Sequence, residues 1–292
     1  MIDYSFPLYR PPAEANNIII QATHGCSYNH CSFCSMYKSK HFTIRELKDV
    51  YKEIDALSAS YPHTNRVFLA DGDALCLETS HLLQLLSYLK KSFIKLKRVS
   101  VYATAQNILE KSDEELALLK DNLLNLVYFG IETGNEQLLK KITKGVTAEQ
   151  IINSLNKAAK AGIKTSATVI LGIGGEEFTQ EHIQDTAKVI NQTSVTYLST
   201  LQLGLDEEIK QSFLKHFEDF KTLNDVQVLD EQKRFLELLN PKNRVIFRSN
   251  HASNALHLAG TFPKDKTRLI NEVQEALELG ESALVPNMFR GF

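Results

Sequence analysis

The chain has 292 residues, a net charge of −2 and a charged fraction of 23%. That length suits one large α/β domain or two ordinary ones, and the charge gives no ground for nucleic acid as a bulk partner. No apolar run reaches the roughly 18 residues that span a bilayer, and the N-terminus lacks the basic and apolar regions of a secretory signal. The reading is a cytoplasmic protein with no membrane partner, where clustered cysteines point to metal rather than to disulfides.

In chain order, a first strand is predicted at 18–23, followed at once by Cys26, Cys31 and Cys34, three of the four cysteines. A helix is expected at 43–58. A second strand at 66–70 ends in Asp71, Gly72 and Asp73. The helix at 81–91 carries a core stripe of Leu82, Leu83, Leu85, Leu86 and Leu89. Strands follow at 99–103 and at 124–129, the latter running into Gly130, Glu132 and Gly134. A helix at 147–161 stops at Gly162, a suitable residue just past a helix end. A strand at 165–171 leads into Gly172, Gly174, Gly175 and Glu176, and a sixth strand covers 195–201.

Six β/α repeats predict a parallel sheet, either curled as an open barrel or doubly wound. In both, chemistry gathers beyond the C-terminal ends of the strands. The cysteines, residues 71–73, Glu132 and Glu176 all fall there. After 205 the pattern changes to charged helices at 206–221 and 229–239, and an apolar segment at 245–247. A polar run of Arg248, Ser249, Asn250 and His251 comes next, then a last helix from about 263–265. The division predicted is a core over 1–205 and an extension over 206–292 packed on it.

Three thiolates on one loop can hold a 4Fe–4S cluster and leave its fourth iron without a protein ligand, which suits a cluster that binds something else. The alternative is a structural zinc completed by His24 or His30, although the second cysteine pair common in such sites is missing. Asp73 reads as an acceptor for an ammonium group or as a turn residue. Glu132 reads as a ligand-facing carboxylate or as a first-turn acid for a helix near Asn135. Arg248 is a candidate to bind a substrate carboxylate or phosphate through its planar fork, and His251 to move a proton; together they also read as a hydrogen-bonded turn. Cys76 is a candidate thiol near the same face or a buried cysteine.

On these residues, over roughly 17–205, the chain resembles the radical S-adenosylmethionine (SAM) superfamily. The cysteine loop follows the first strand with aromatic Phe33 between its last two cysteines. Gly72 and Asp73 stand where that family has glycine-glycine-glutamate. Residues 130–135 look like its Gly-x-Glu-Ser-Gly segment, and Thr143-Lys144-Gly145 follows as in the methylthiotransferase, elongator-type and coproporphyrinogen dehydrogenase group. Residues 172–176 look like Gly-Leu-Pro-Gly-Glu with glycine replacing proline. The spacing is C-x4-C-x2-C where C-x3-C-x2-C is usual, a change that a surface loop absorbs at small entropic cost.

The resemblance implies a partial (β/α)6 TIM-like barrel with a mostly helical C-terminal extension. It implies a 4Fe–4S cluster on Cys26, Cys31 and Cys34, and SAM lined by Phe33, Gly72, Asp73, Glu132, Gly172 and Gly174. It further implies an oxidoreductase-like enzyme that forms a 5′-deoxyadenosyl radical, abstracts hydrogen from a small-molecule substrate and draws electrons from a donor such as flavodoxin or ferredoxin. With one cysteine triad, a second cluster held wholly by cysteines is not expected, which argues against methylthiotransferase chemistry. Modification of an RNA base, a non-catalytic electron-transfer or sensor protein, and a zinc-stabilised barrel stay open at this point.

Overall fold

A computed structural model describes residues 2 and 4–291. The chain begins with β1 (Ile18–Gln21), β2 (Thr23–His24), β3 (Thr43–Ile44), α1 (Leu47–Ser60), β4 (Arg66–Ala70), α2 (Thr79–Ser92) and β5 (Arg98–Ala103). It continues through α3 (Ala105–Glu110), α4 (Asp113–Asp121), β6 (Leu124–Glu132), α5 (Glu136–Lys141), α6 (Ala148–Lys160) and β7 (Lys164–Leu171). The remainder is α7 (Gly175–Asn191), β8 (Tyr197–Gln202), α8 (Glu207–Leu214), α9 (Asp225–Leu238), β9 (Val245–Ser249), β10 (Leu258–Phe262) and α10 (Lys266–Leu279). Eight strands form one sheet in the order β1-β4-β5-β6-β7-β8-β9-β10, and β2 pairs separately with β3. The paired strands recorded from β1 to β9 run parallel, and only the last pair, β9 with β10, is antiparallel.

The chain divides into two compact units. The first holds residues up to Asn29, 36–129 and 157–165. Its sheet registers Ile18 on Val67 and Val67 on Val99. Val67, Phe68 and Leu69 form a continuous buried apolar run, as strands of parallel sheets commonly do. On α2 the residues Leu82, Leu85, Leu86 and Leu89 are buried, each contributing about 1.5–3 kcal/mol. Leu83, expected in that stripe, is only half-buried and lines a surface groove with Tyr51 and Tyr88.

The second unit holds residues 30–35, 130–156 and everything from Ser166. Here β7 pairs parallel with β8, with Ser166 opposite Tyr197, and β8 pairs parallel with β9. Two strands therefore join the sheet beyond the six that the sequence announces. β9 extends the predicted apolar segment by two residues, and β10 went unread because Ala259 and Gly260 dilute its apolar pattern.

Three helices were also unread. α3 and α4 are short and each closed by a reciprocal cap, Thr104 with Asn107 and Ser112 with Glu115. Such caps stabilise helices too brief for periodicity to show. α7 begins inside the glycine run that reads as a loop, whereas the helix expected near Asn135 is α5, six residues long with Asn135 as its N-cap. Residues 43–44, expected as the first turn of a helix, instead pair with β2 and leave Ile44 exposed. Among the described residues no helix is long and apolar enough to cross a membrane.

Candidate functional site

In the first unit the turn after β4 is built around two acids. Asp71 has φ +67° and is fully buried. Asp tolerates this left-handed backbone better than most residues, but it still costs free energy. Its carboxylate accepts hydrogen bonds from Gly25 N–H at 2.8 Å, Gln21 Nε2 at 3.1 Å and Lys40 Nζ at 2.8 Å. The Asp71–Lys40 pair is almost entirely shielded from water, with side chains 0% and 5% exposed. Gly25 precedes Cys26 and Lys40 follows Cys34, so one carboxylate holds segments on either side of the cysteine loop.

Gly72 and Asp73 act on the loop itself. A Cβ on Gly72 would fall 2.3 Å from Cys26 Cβ and 2.5 Å from its Cα. Only a residue without a side chain lets the first cysteine lie this close. Gly72 N–H also donates to Gly25 O at 2.9 Å. Buried Asp73 accepts from Ser27 N–H at 2.7 Å and from Ser27 Oγ. The carboxylate that the resemblance assigns to the SAM ammonium thus fastens the residue after Cys26, while its oxygens keep further acceptor capacity. Cys76 shares this neighbourhood. Burial, with the negative charge of Asp73, pushes its thiol up to about 12. It is a protonated thiol at neutral pH and not a nucleophile.

In the second unit the segment with Cys31 and Cys34 is tied down by its backbone and by Phe33. Ser32 N–H donates to Ile142 O at 3.0 Å, and Thr143 Oγ1 donates to His30 O at 2.6 Å. Phe33 packs on an apolar cluster of Leu138, Ile142, Ile173, Phe178, Phe213 and Phe217. Leu203 packs on the same cluster, as core.

Glu132 ends β6 with φ +62°. Its carboxylate accepts from Lys144 Nζ at 2.9 Å, and that ammonium lies 5.7 Å from the centre of the Phe33 ring. Burial alone would push Lys144 down, but Glu132 and the Cys31 and Cys34 thiolates hold it above the usual lysine range. A Cβ on Gly130 would fall 1.9 Å from Glu132 Oε1 and 2.9 Å from Lys144 Nζ, so this glycine makes room for the pair. Lys144 sits in a motif visible in the sequence but was given no role there.

Gly172, at φ +76°, turns the chain after β7, and Gly175 N–H closes the turn on Gly172 O at 3.0 Å. Gly174 is needed for close packing, since a Cβ there would meet Phe178 Cβ at 2.7 Å. The Gly172 N–H points at Glu231 of α9, donating to Oε1 at 2.6 Å, and Thr179 Oγ1 donates to the other oxygen. Burial pushes Glu231 up to about 7, although both hydrogen bonds pull the other way. His182 of α7 lies 4.0 Å from Glu231, and burial pushes it down to about 4, so it is neutral near pH 7.

These shifts have opposite linkage. Glu231 is raised above its unfolded value of 4.5, so its contribution is complete below that pH and lost as pH rises through about 7. His182 is lowered from 6.5, so its contribution is present above that pH and lost as pH falls towards about 4. Comparing Glu231→Gln with the wild type isolates the first. From pH 4.5 to 8 the stability gap should widen by about 3 kcal/mol in favour of the variant, measured by denaturant unfolding across pH. A gap independent of pH would count against this assignment.

The two residues put forward from the C-terminal part lie in local hydrogen-bond arrangements. Exposed Arg248 donates to Phe247 O at 2.7 Å and Gly260 O at 3.3 Å, bracing the β9–β10 pair. His251 Nδ1 accepts from Ser253 N–H at 3.2 Å and contacts Ser253 Oγ at 2.9 Å, and burial lowers its pKa. This is the geometry of the hydrogen-bonded turn weighed beside the catalytic reading.

The donor set fits an iron–sulfur cluster: three cysteines on one short segment, the first seated where Gly72 leaves space and all three partly accessible. Among the described residues no three His, Cys, Asp or Glu side chains converge on a single-ion site.

Residues 20–190 match the radical SAM superfamily. The chain is 26% identical over 182 residues to an uncharacterized methyltransferase of Pyrococcus horikoshii, covering 61% of this chain and 38% of that protein. It is 25% identical over 217 residues to a putative methylthiotransferase of Methanocaldococcus jannaschii, covering 70% and 43%. The chain thus spans about two fifths of the length of these relatives. Its fold is similar to that of coproporphyrinogen III oxidase from Escherichia coli, a radical SAM enzyme, with a TM-score of 0.59 at 18% identity, covering 76% of this chain and 51% of that one. The α/β class with a mostly parallel sheet, the cysteine segment and the match over more than half its length agree: this chain belongs to the radical SAM superfamily, whose members bind a 4Fe–4S cluster and SAM.

Proposed function

We propose that this radical SAM enzyme abstracts a hydrogen atom from a small-molecule substrate, with Cys26, Cys31 and Cys34 as the cluster ligands. The observation that carries the reading is the seating of Cys26 against Gly72, with Ser27 fastened to Asp73, because it ties the cysteine segment to the strand-end turn where the cofactor belongs. Cluster and SAM together supply the 5′-deoxyadenosyl radical, one electron coming from a low-potential carrier such as flavodoxin or ferredoxin.

The protein's own residues orient and shield. Phe33, between Cys31 and Cys34 in sequence, anchors that stretch on its apolar cluster. Lys144 places a fixed positive charge near these thiolates, which offsets the charge of an anionic centre. Glu132 keeps that ammonium in place and has acceptor capacity left for SAM, as Asp73 has for the methionine ammonium. Phe33, Gly72, Gly172 and Gly174 complete the proposed SAM contacts. Arg248 and His251 stand on the substrate side in this proposal, and the enzyme works in the cytoplasm.

The substrate class is tested by deuterium transfer. Extract from cells grown on deuterated medium is separated into small-molecule and RNA fractions, and each is given to the reconstituted enzyme with SAM and reductant. Deuterium in 5′-deoxyadenosine from the small-molecule fraction alone is the expected result. Transfer only from RNA would overturn the substrate assignment.

A further inference from the structure

Two adjacent sets of buried hydrogen bonds support the glycine-rich strand-end turns of the second unit, one at Glu231 and one at His182 and Thr186, with His182 Nε2 4.0 Å from Glu231 and not bonded to it. Glu231 holds the Gly172 N–H at 2.6 Å from one side. Beside it, His182 Nδ1 lies 2.8 Å from Thr133 Oγ1, and Asn135 N–H donates to the same oxygen at 3.1 Å. Thr186 Oγ1 donates to His182 O at 2.6 Å and accepts from Gly134 N–H at 2.8 Å. Thr133, His182, Thr186 and Glu231 are each 0% exposed. Between them these bonds hold the two backbone N–H groups that follow Thr133 and the first residue of the turn after β7.

Burying a carboxylate is costly unless it is well bonded. Glu231 stands on the apolar face of α9 with Val228, Leu229, Gln232, Phe235 and Leu236, where a hydrophobic residue would ordinarily stabilise the fold more. What it adds is direction: it fixes an N–H in a turn whose backbone is left-handed at Gly172. A cofactor-facing loop needs such support, since small misplacements lose affinity.

We propose that Glu231 is a positioning residue that sets the turn at residues 172–175 for SAM, while His182 and Thr186, packed beside it, hold the turn at 132–135. This rests on the SAM-binding reading above. It needs none of these three residues to touch SAM, and none is a catalytic residue.

The test compares Glu231→Ala, Glu231→Gln and Thr179→Val with the wild type. In the cofactor-free proteins, amide hydrogen exchange over residues 168–178 should rise at least about tenfold in Glu231→Ala, as expected for a lost buried hydrogen bond. It should stay near wild type in Glu231→Gln, whose amide oxygen still accepts from Gly172. In cluster-loaded proteins, equilibrium dialysis with labelled SAM should show affinity about tenfold weaker for Glu231→Ala at unchanged iron content. Glu231→Gln should restore it, and Thr179→Val should give a smaller weakening. Glu231→Ala binding SAM like the wild type, with intact cluster, would overturn the proposal. If that variant does not fold, wild-type affinity and exchange in Thr179→Val would overturn it instead. If the loaded wild type itself fails to bind SAM, the functional reading fails, a distinct outcome.

Discussion

Gly72→Ala is expected to lose its cluster, with retained iron falling by roughly tenfold or more, the scale seen when a residue supporting a metal ligand is changed. The added methyl carbon would lie 2.3 Å from Cys26 Cβ and 2.5 Å from Cys26 Cα. Neither atom is the far end of a flexible side chain. Relief needs movement of the backbone that presents the cysteine, and Gly25 and Ser27 are themselves fastened, to Asp71 and to Asp73. Sites of this kind tolerate displacements of only about 0.5 Å. Iron and sulfide analysis after anaerobic reconstitution measures the effect, and a variant that fills to the wild-type level would show that Cys26 is not held here.

Lys40→Met is expected to cost about 3–5 kcal/mol of folding stability, because it removes one partner of a buried pair and leaves the other charged. Asp71 is 0% exposed and would keep only Gln21 and Gly25 as donors, in a backbone conformation that already costs free energy. Adding Asp71→Asn should recover part of the loss by removing the orphaned charge. Denaturant unfolding of the apo-proteins checks both. A loss of less than about 1 kcal/mol, the range of exposed ion pairs, would mean that water reaches Asp71.

Asp71 and Glu132 present the same device twice. Each is a carboxylate at a strand end, in left-handed backbone, bonded to a lysine drawn from outside its own strand. Glu132 was legible because Gly130 and Gly134 flank it. Asp71 was passed over in favour of Asp73, since in Asp-Gly-Asp nothing local says which acid faces inward. The lysine pairings were not legible, since pairing is a tertiary fact: Lys40 reads as solvated surface, and Lys144, though part of a motif, shows no partner in the sequence.

Most of the fold was open to inspection because parallel strands advertise themselves as short apolar runs ended by glycine or acid. Val67, Phe68 and Leu69 are one such run, and all three are fully buried. α7 was hidden by the glycines that start it. Glu231 was hidden differently, inside the acidic and basic residues of α9. Only its spacing from Val228 and Phe235, on the face that turned out buried, marked it as a carboxylate facing inward.

In the function proposed above, a cluster on this cysteine segment reductively cleaves SAM. Anaerobic reduction of the reconstituted protein with dithionite in the presence of SAM, followed by assay for 5′-deoxyadenosine, tests it directly. The wild type should form 5′-deoxyadenosine and Cys31→Ala none. A wild-type protein with a complete, reduced cluster that yields no more than Cys31→Ala would contradict the account.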